Sequence, residues 1–161
     1  MKRIVCLLIL ILTLLLSSTC IAFRDPDPNK WSVLGRSEKQ DIWIHNNEFS
    51  RFENNNNSPY NPHFKHVFYS FWSLVQNKDK KEELLYKIEI DLKCKTIKTP
   101  MIAVYNENGS FKEKLLGEYD KHEPITPDSI GAFYLDYCMD FERTFQGIAE
   151  ILRKKGNKER I

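Results

Sequence analysis

The chain has few glycines and few cysteines, and each shortage excludes a class of site. Of its 161 residues only 6 are glycine. Gly35, Gly109 and Gly117 are isolated, which favours turns over a glycine-rich phosphate-binding loop. Four cysteines are present, and only Cys94 and Cys138 lie beyond the apolar N-terminal stretch. A metal or redox pair would need reducing surroundings, which the apolar N-terminal stretch argues against. One disulfide is the simplest prediction for a secreted domain with two cysteines.

The chain also lacks a large excess of positive or negative charge. The chain has 24 basic and 22 acidic residues. Lys2 and Arg3 stand before the N-terminal apolar run, so the remainder of the chain carries 22 of each sign. This balance argues against nucleic acid and against an acidic membrane surface as partners.

Long apolar runs are absent except at the N-terminus. Residues 1–22 combine a basic start, a leucine-rich run and small residues before Ala22, which predicts a secretory signal peptide cleaved after Ala22. Two alternatives stay open. The run from Ile4 to Phe23 is about as long as a membrane-spanning helix, which allows an uncleaved anchor. Cys20 could instead be lipidated, although Thr19 fits a lipobox poorly. Each reading places the domain at the cell surface, in the periplasm or in the medium.

The remaining chain reads as one domain with two short flanking segments. Residues 23–30 contain two prolines and predict a flexible lead-in. The domain is expected over residues 31–155, followed by a basic tail over 156–161. Residues 54–62 include four consecutive asparagines and two prolines, which is typical of a loop.

Strand patterns dominate from Trp31 to about Tyr119. The clearest runs from Tyr86 to Thr96, where apolar residues alternate with charged ones and Cys94 falls on the apolar side. A central strand over residues 64–75 and a hairpin at Asn108-Gly109 are also predicted. We expect an antiparallel meander of five or six strands.

A long amphipathic helix is predicted to follow. Thr126 is its expected N-cap and Pro127 its first residue. Apolar residues then recur at steps of three and four, and Cys138 borders that stripe. The predicted fold is therefore α+β, with the helix packed on one face of the sheet and tethered by a Cys94–Cys138 disulfide.

This pattern resembles the surface-adhesin protein E family of bacterial envelope proteins. The resemblance implies a six-stranded antiparallel sheet, a C-terminal helix held on its concave face by a disulfide, and binding of host matrix and serum proteins. One departure is that the chain continues well past Cys138, where family members tend to stop. The matching residues are Trp31, 41–44, 67–74 with Trp72, 86–94, 125–130 and Cys138.

Candidate chemistry is sparse. His63 and His66 have ligand-type side chains, but spacing three on a strand directs them to opposite faces, so no metal site is predicted. Glu89 and Asp91 alternate with lysines, which favours an exposed charged surface over catalytic carboxylates. We therefore predict no enzyme activity and no cofactor.

The leading functional hypothesis is a secreted or surface-exposed, non-enzymatic binding module that contacts host extracellular proteins. Its contact surface is predicted on the lysines near the Tyr86 strand, namely Lys87, Lys93, Lys95 and Lys98. The alternative is a periplasmic structural or accessory envelope protein with no host ligand. Self-association as a homodimer stays open. Membrane contact is expected only through a retained leader or a lipidated Cys20.

Overall fold

The residues that the structure describes form one antiparallel sheet and one long C-terminal helix. The computed structural model describes residues 23–54 and 66–158. Its strands are β1 (Trp31–Arg36), β2 (Gln40–His45), β3 (Ser50–Asn54), β4 (His66–Asn77), β5 (Glu82–Asp91), β6 (Thr96–Asn106) and β7 (Phe111–Pro124), and its helix is α1 (Ile130–Lys158). A short 3₁₀ turn, Asn46–Glu48, separates β2 from β3.

The sheet has the order β1-β2-β4-β5-β6-β7, with β3 also paired to β4. Strand β2 pairs with the second half of β4, where Ile42 lies opposite Val75, and β3 pairs with the first half, where Phe52 lies opposite Phe68. The α+β prediction is confirmed. The described residues form seven strands, more than the predicted five or six.

Strand β4 divides its side chains between two environments, because successive residues of a strand point to opposite faces. Tyr69, Phe71 and Ser73 are fully buried on the face that carries α1, which we call the inner face. Phe68 and Trp72 lie on the other face, which we call the outer face.

The first half of α1 closes the core over the inner face. The Tyr134 and Ser73 hydroxyl oxygens are 2.6 Å apart, and Ser73 Oγ donates to the Trp43 carbonyl at 2.7 Å. Since Ser73 has one hydroxyl proton, Tyr134 is the donor to Ser73. The core residues are Ile42, Ile44, Tyr69, Phe71, Val75, Ile88, Ile90, Tyr134, Leu135 and Cys138.

Helix α1 begins later than predicted. Ser129 caps it, since Ser129 Oγ accepts from the Ala132 backbone N–H at 3.2 Å. Asp128 has a φ of 59°, which breaks the helical path, so Thr126 and Pro127 lie before the helix and not within it. At the other end the helix continues to Lys158, past the predicted domain boundary at residue 155.

A second contact fixes α1 further along. The Arg51 guanidinium donates to both carboxylate oxygens of Glu142, at 2.8 and 3.0 Å, and the Tyr69 hydroxyl donates to the same carboxylate at 2.6 Å. The hydrogen bond from Arg51 outweighs the opposing effect of burial and, with those from Tyr69 and Gln146, lowers the pKa of Glu142 to about 2. We call Arg51, Tyr69 and Glu142 the helix clamp.

The segments outside the strands and the helix are partly fixed. The predicted hairpin is confirmed: Gly109 has a φ of 78° and its N–H donates to the Asn106 carbonyl at 2.8 Å.

The segment over residues 23–30 is held to the sheet at two points. Gln76 Nε2 donates to the Arg24 carbonyl at 3.0 Å, and Arg36 pairs with Asp25 at 2.9 Å.

The predicted signal peptide, the interior of the asparagine-rich loop, His63 and the last three residues of the predicted tail lie outside the described residues. Within the described ranges, no helix has an apolar stretch long enough to cross a bilayer.

The helix clamp predicts a pH-dependent contribution to stability. Replacing Glu142 with glutamine removes the carboxylate that pairs with Arg51, so the free energy of unfolding at about pH 7 should fall by about 2 kcal/mol. The ordinary pKa of a glutamate is 4.5 and that of Glu142 is about 2. The carboxylate therefore stabilises the fold fully above about pH 4.5, and this contribution is lost as the pH falls towards 2.

Urea unfolding followed by tryptophan fluorescence measures this effect. Glu150→Gln is the matched control, because Glu150 is an exposed carboxylate of the same helix that pairs with Lys154. We expect the control to change stability little and the Glu142→Gln difference to shrink at about pH 3. A Glu142→Gln effect no larger than the control's, or one that is constant with pH, would contradict the clamp.

Candidate functional site

The predicted Cys94–Cys138 disulfide is wrong, because both cysteines are free thiols. Strand β5 ends at Asp91, before Cys94 and before the predicted end at Thr96. Asp91 Oδ1 accepts the backbone N–H groups of Lys93 and Cys94, at 2.9 and 3.1 Å, which turns the chain. The alternation that placed Cys94 on the apolar side therefore stops three residues before it.

The two thiols lie on opposite sides of the sheet. Cys138 is fully buried between α1 and the inner face. Cys94 is exposed, and its Sγ lies 3.9 Å from His66 Nδ1 at the outer face. The helix is thus held on the sheet by packing and the helix clamp, without the covalent link.

Cys94 instead belongs to a cluster with His66 and Asp91. His66 Nδ1 and Asp91 Oδ2 are 2.6 Å apart. One ligand-type atom from each of the three residues lies within 4.8 Å of the ligand-type atoms of the other two. We call these three residues the outer-face triad. They come from the start of β4, the end of β5 and the turn that follows it.

The carboxylate of the triad is firmly held. The Asp91 side chain is 7% exposed. Its burial opposes ionisation, but the hydrogen bonds from the Cys94 N–H, from His66 and from the Lys93 N–H outweigh it and lower the pKa of Asp91. The group is therefore a carboxylate at neutral pH, fixed in orientation by the backbone of the turn.

A stack of aromatic rings lies beside the histidine of the triad. The Phe68 ring stacks on the His66 ring with centroids 5.9 Å apart, and Phe52 stacks on Phe68 at 5.3 Å. The His122 ring contacts Phe68 with centroids 5.9 Å apart, and its Nε2 lies 3.2 Å from Glu89 Oε1. The His66 ring therefore borders a row of aromatic rings on the outer face.

The triad does not have the arrangement of a nucleophile with its base. Asp91 and Cys94 both approach the same ring nitrogen, His66 Nδ1, whereas a relay needs the carboxylate and the nucleophile on different nitrogens. Partial desolvation and the charge of Asp91 raise the pKa of Cys94, which disfavours the thiolate. The arrangement is better suited to shared coordination of an ion.

The four predicted contact lysines lie in two places, on the outer face and in the turn after β5. Lys87 lies over the Trp72 ring at 5.2 Å, and Lys98 pairs with Glu89 at 3.2 Å, both on the outer face. Lys93 and Lys95 are exposed in the turn on either side of Cys94. The four therefore do not form one uncompensated basic patch.

The second half of α1 carries an exposed apolar surface that sequence reasoning treated as core. The helix spans 29 residues, or about 43 Å. Phe145 is the last of its residues with a ring contact to the sheet, over Arg51 at 4.6 Å. Residues 146–155 are all exposed. Among them Ile148, Ile151 and Leu152 are 54, 67 and 62% exposed, and we call these three the distal stripe.

The triad was missed because its residues become neighbours only through the pairing of two strands. His66 and Asp91 are 25 residues apart, so no local spacing connects them. The signal that could have found the triad is the pairing of the predicted central strand with the Tyr86 strand, which in the structure places Phe68 opposite Asp91. Side chains of paired residues point to the same face, so Phe68 and Asp91 share the outer face. His66 lies two residues before Phe68 and therefore also points to that face, beside Asp91 and the turn.

The comparisons with known proteins found no matching family model, no matching curated protein and no matching solved structure. The resemblance to the protein E family stays a prediction, and the structure lacks the covalent tether that was part of it.

The thiol assignment predicts different reactivity at the two cysteines. In the native chain iodoacetamide should modify the exposed Cys94, while the buried Cys138 should react only in denaturant. Mass-spectrometric peptide mapping reads both sites, and a Cys6→Ser/Cys20→Ser background removes the N-terminal thiols. A peptide linking Cys94 to Cys138 in an unreduced digest would sink the assignment.

Proposed function

We propose that this chain is an exported, non-enzymatic binding module that acts through protein contacts. The observation that carries the proposal is the distal stripe, three large aliphatic side chains side by side on a helix surface that no described residue covers. Adjacent exposed apolar side chains are characteristic of contact sites. Single apolar residues scattered over a surface are common and would not by themselves indicate a partner.

The distal stripe continues the helix face that packs on the sheet. Tyr134, Phe141 and Phe145 are followed at helical spacing by Ile148 and Leu152 on the same side of α1. The first of these is buried in the core, whereas the last two extend past the contacts with β3. One apolar face therefore serves folding in its first half and is available for a partner in its second.

The charges beside the distal stripe indicate the chemistry of that partner. Arg153 and Lys155 are exposed next to Leu152, and Lys154 pairs with Glu150 at 2.8 Å. A protein surface with an apolar groove and an acidic rim would match both the stripe and its basic end. Host matrix and serum proteins are the partners expected from the family resemblance. The lysines near Tyr86 are weaker candidates, because Lys98 is already paired with Glu89.

Binding assays with matched variants test the proposal. The probes are a panel of purified extracellular-matrix and serum proteins on a biosensor. Ile148→Glu/Leu152→Glu should weaken binding at least about tenfold, because interface centres lose most when apolar anchors are replaced. Lys39→Ala/Arg143→Ala is the control: both side chains are exposed, and their removal changes the net charge equally while leaving the stripe and its basic end intact. Circular dichroism checks that each variant is folded.

Three outcomes would overturn the proposal. One is equal loss of binding in the stripe variant and its control. Another is loss only in Lys87→Glu/Lys93→Glu/Lys95→Glu, which would return the contact to the predicted lysines. The third is absence of binding to any protein of the panel. This result would overturn the proposal both for a monomer and for a dimer that forms through the distal stripe, the two states that sedimentation distinguishes. Protease treatment of intact cells separately distinguishes a surface position from a periplasmic accessory role.

A further inference from the structure

The outer-face triad combines an imidazole, a carboxylate and a thiol, each of which is a common metal ligand in proteins. Its three potential donor atoms lie within 4.8 Å of one another. We propose that His66, Asp91 and Cys94 bind a divalent transition-metal ion, with zinc as the best fit. This inference stands apart from the contact role of the distal stripe, which lies on α1 and shares no residue with the triad.

Two of the three donor separations come close to those around a tetrahedral ion. Zinc bonds of about 2.0 Å to nitrogen or oxygen and 2.3 Å to sulfur place neighbouring donors roughly 3.3 to 3.6 Å apart. The His66 Nδ1 to Asp91 Oδ2 distance is 2.6 Å, and the Cys94 Sγ to His66 Nδ1 distance is 3.9 Å. On zinc binding the first distance must lengthen and the second must shorten, each by less than about 1 Å.

The donor set selects the class of ion. A thiolate and an imidazole prefer zinc, cobalt or copper, whereas magnesium and calcium prefer oxygen donors alone. On binding, Cys94 releases its thiol proton to solvent, and the His66 ring carries its proton on Nε2 so that Nδ1 can bond the ion. Asp91 contributes Oδ2 in the ionised form that it already has.

The surroundings of the triad support the donors. Asp91 Oδ1 is occupied by the N–H groups of Lys93 and Cys94, which leaves Oδ2 directed at His66. The stacked Phe68 ring limits rotation of the imidazole. Such outer contacts orient metal ligands in known sites. Cys94 is exposed, so an ion can enter from solvent and keep one position for water or a fourth ligand.

Cobalt titration of the purified full chain tests the site directly. Cobalt(II) bound to a thiolate gives a charge-transfer absorption band, and tetrahedral cobalt gives strong visible bands. We expect saturation at one equivalent, followed by loss of the bands when zinc is added. Cys94→Ser should abolish the charge-transfer band, and Asp91→Asn or His66→Gln should weaken cobalt binding at least about tenfold.

The controls separate the triad from other donors. Cys138→Ala removes a thiol on the inner face, Cys6→Ser/Cys20→Ser removes the N-terminal thiols, and His122→Gln removes a neighbouring imidazole; each should leave the titration unchanged. Cys94 is exposed, so its serine variant should fold, and zinc should raise the melting temperature of the wild type but not of that variant. Absence of a thiolate band in the wild type, or its persistence in Cys94→Ser, would overturn the proposal.

Discussion

The alternation of side chains along β4 is the constraint on which the structure depends. It sends Tyr69, Phe71 and Ser73 to the face that binds α1 and leaves Phe68 and Trp72 on the other. The same alternation in β5 buries Ile88 and Ile90 beneath the helix while Asp91 faces outwards beside His66. Each face therefore has its own chemistry: an aromatic and aliphatic core inside, and a polar triad outside.

Helix α1 depends on non-covalent contacts for its position. Tyr134 and Cys138 are buried in the core, and Glu142 receives three hydrogen bonds from Arg51 and Tyr69. These contacts all lie in the first half of the helix, up to Phe145. The second half is consequently an extension whose apolar side chains gain nothing from the sheet, which is the physical basis for assigning it a partner.

The large pattern of the fold followed from the sequence, while its irregular points did not. Period-two alternation around Ile88 and the apolar stripe around Tyr134 predicted the sheet and the helix, because burial determines both periods. The predicted position of Cys94 was wrong because the Asp91 side chain accepts a hydrogen bond from the Lys93 backbone N–H and so ends the strand. A hydropathy pattern does not reveal such a local hydrogen bond. The helix start was misplaced for a similar reason, since Ser129 and not Thr126 accepts the first free N–H.

The candidate site was harder to predict than the fold because it depends on register. His66 and Cys94 become neighbours only when β4 and β5 pair with Phe68 opposite Asp91. From the sequence, His66 was compared only with His63 and no metal site was predicted, while Cys94 was assigned to a disulfide. The structure replaces both interpretations with one cluster of three ligand-type groups.

Nuclear Overhauser effects in the folded chain test the separation of the two thiols most directly. We expect contacts from the Cys94 β protons to the His66 ring and from the Cys138 β protons to side chains of the core, with reduced-type Cβ shifts at both cysteines. Contacts between the β protons of Cys94 and Cys138, with oxidised-type shifts, would contradict it.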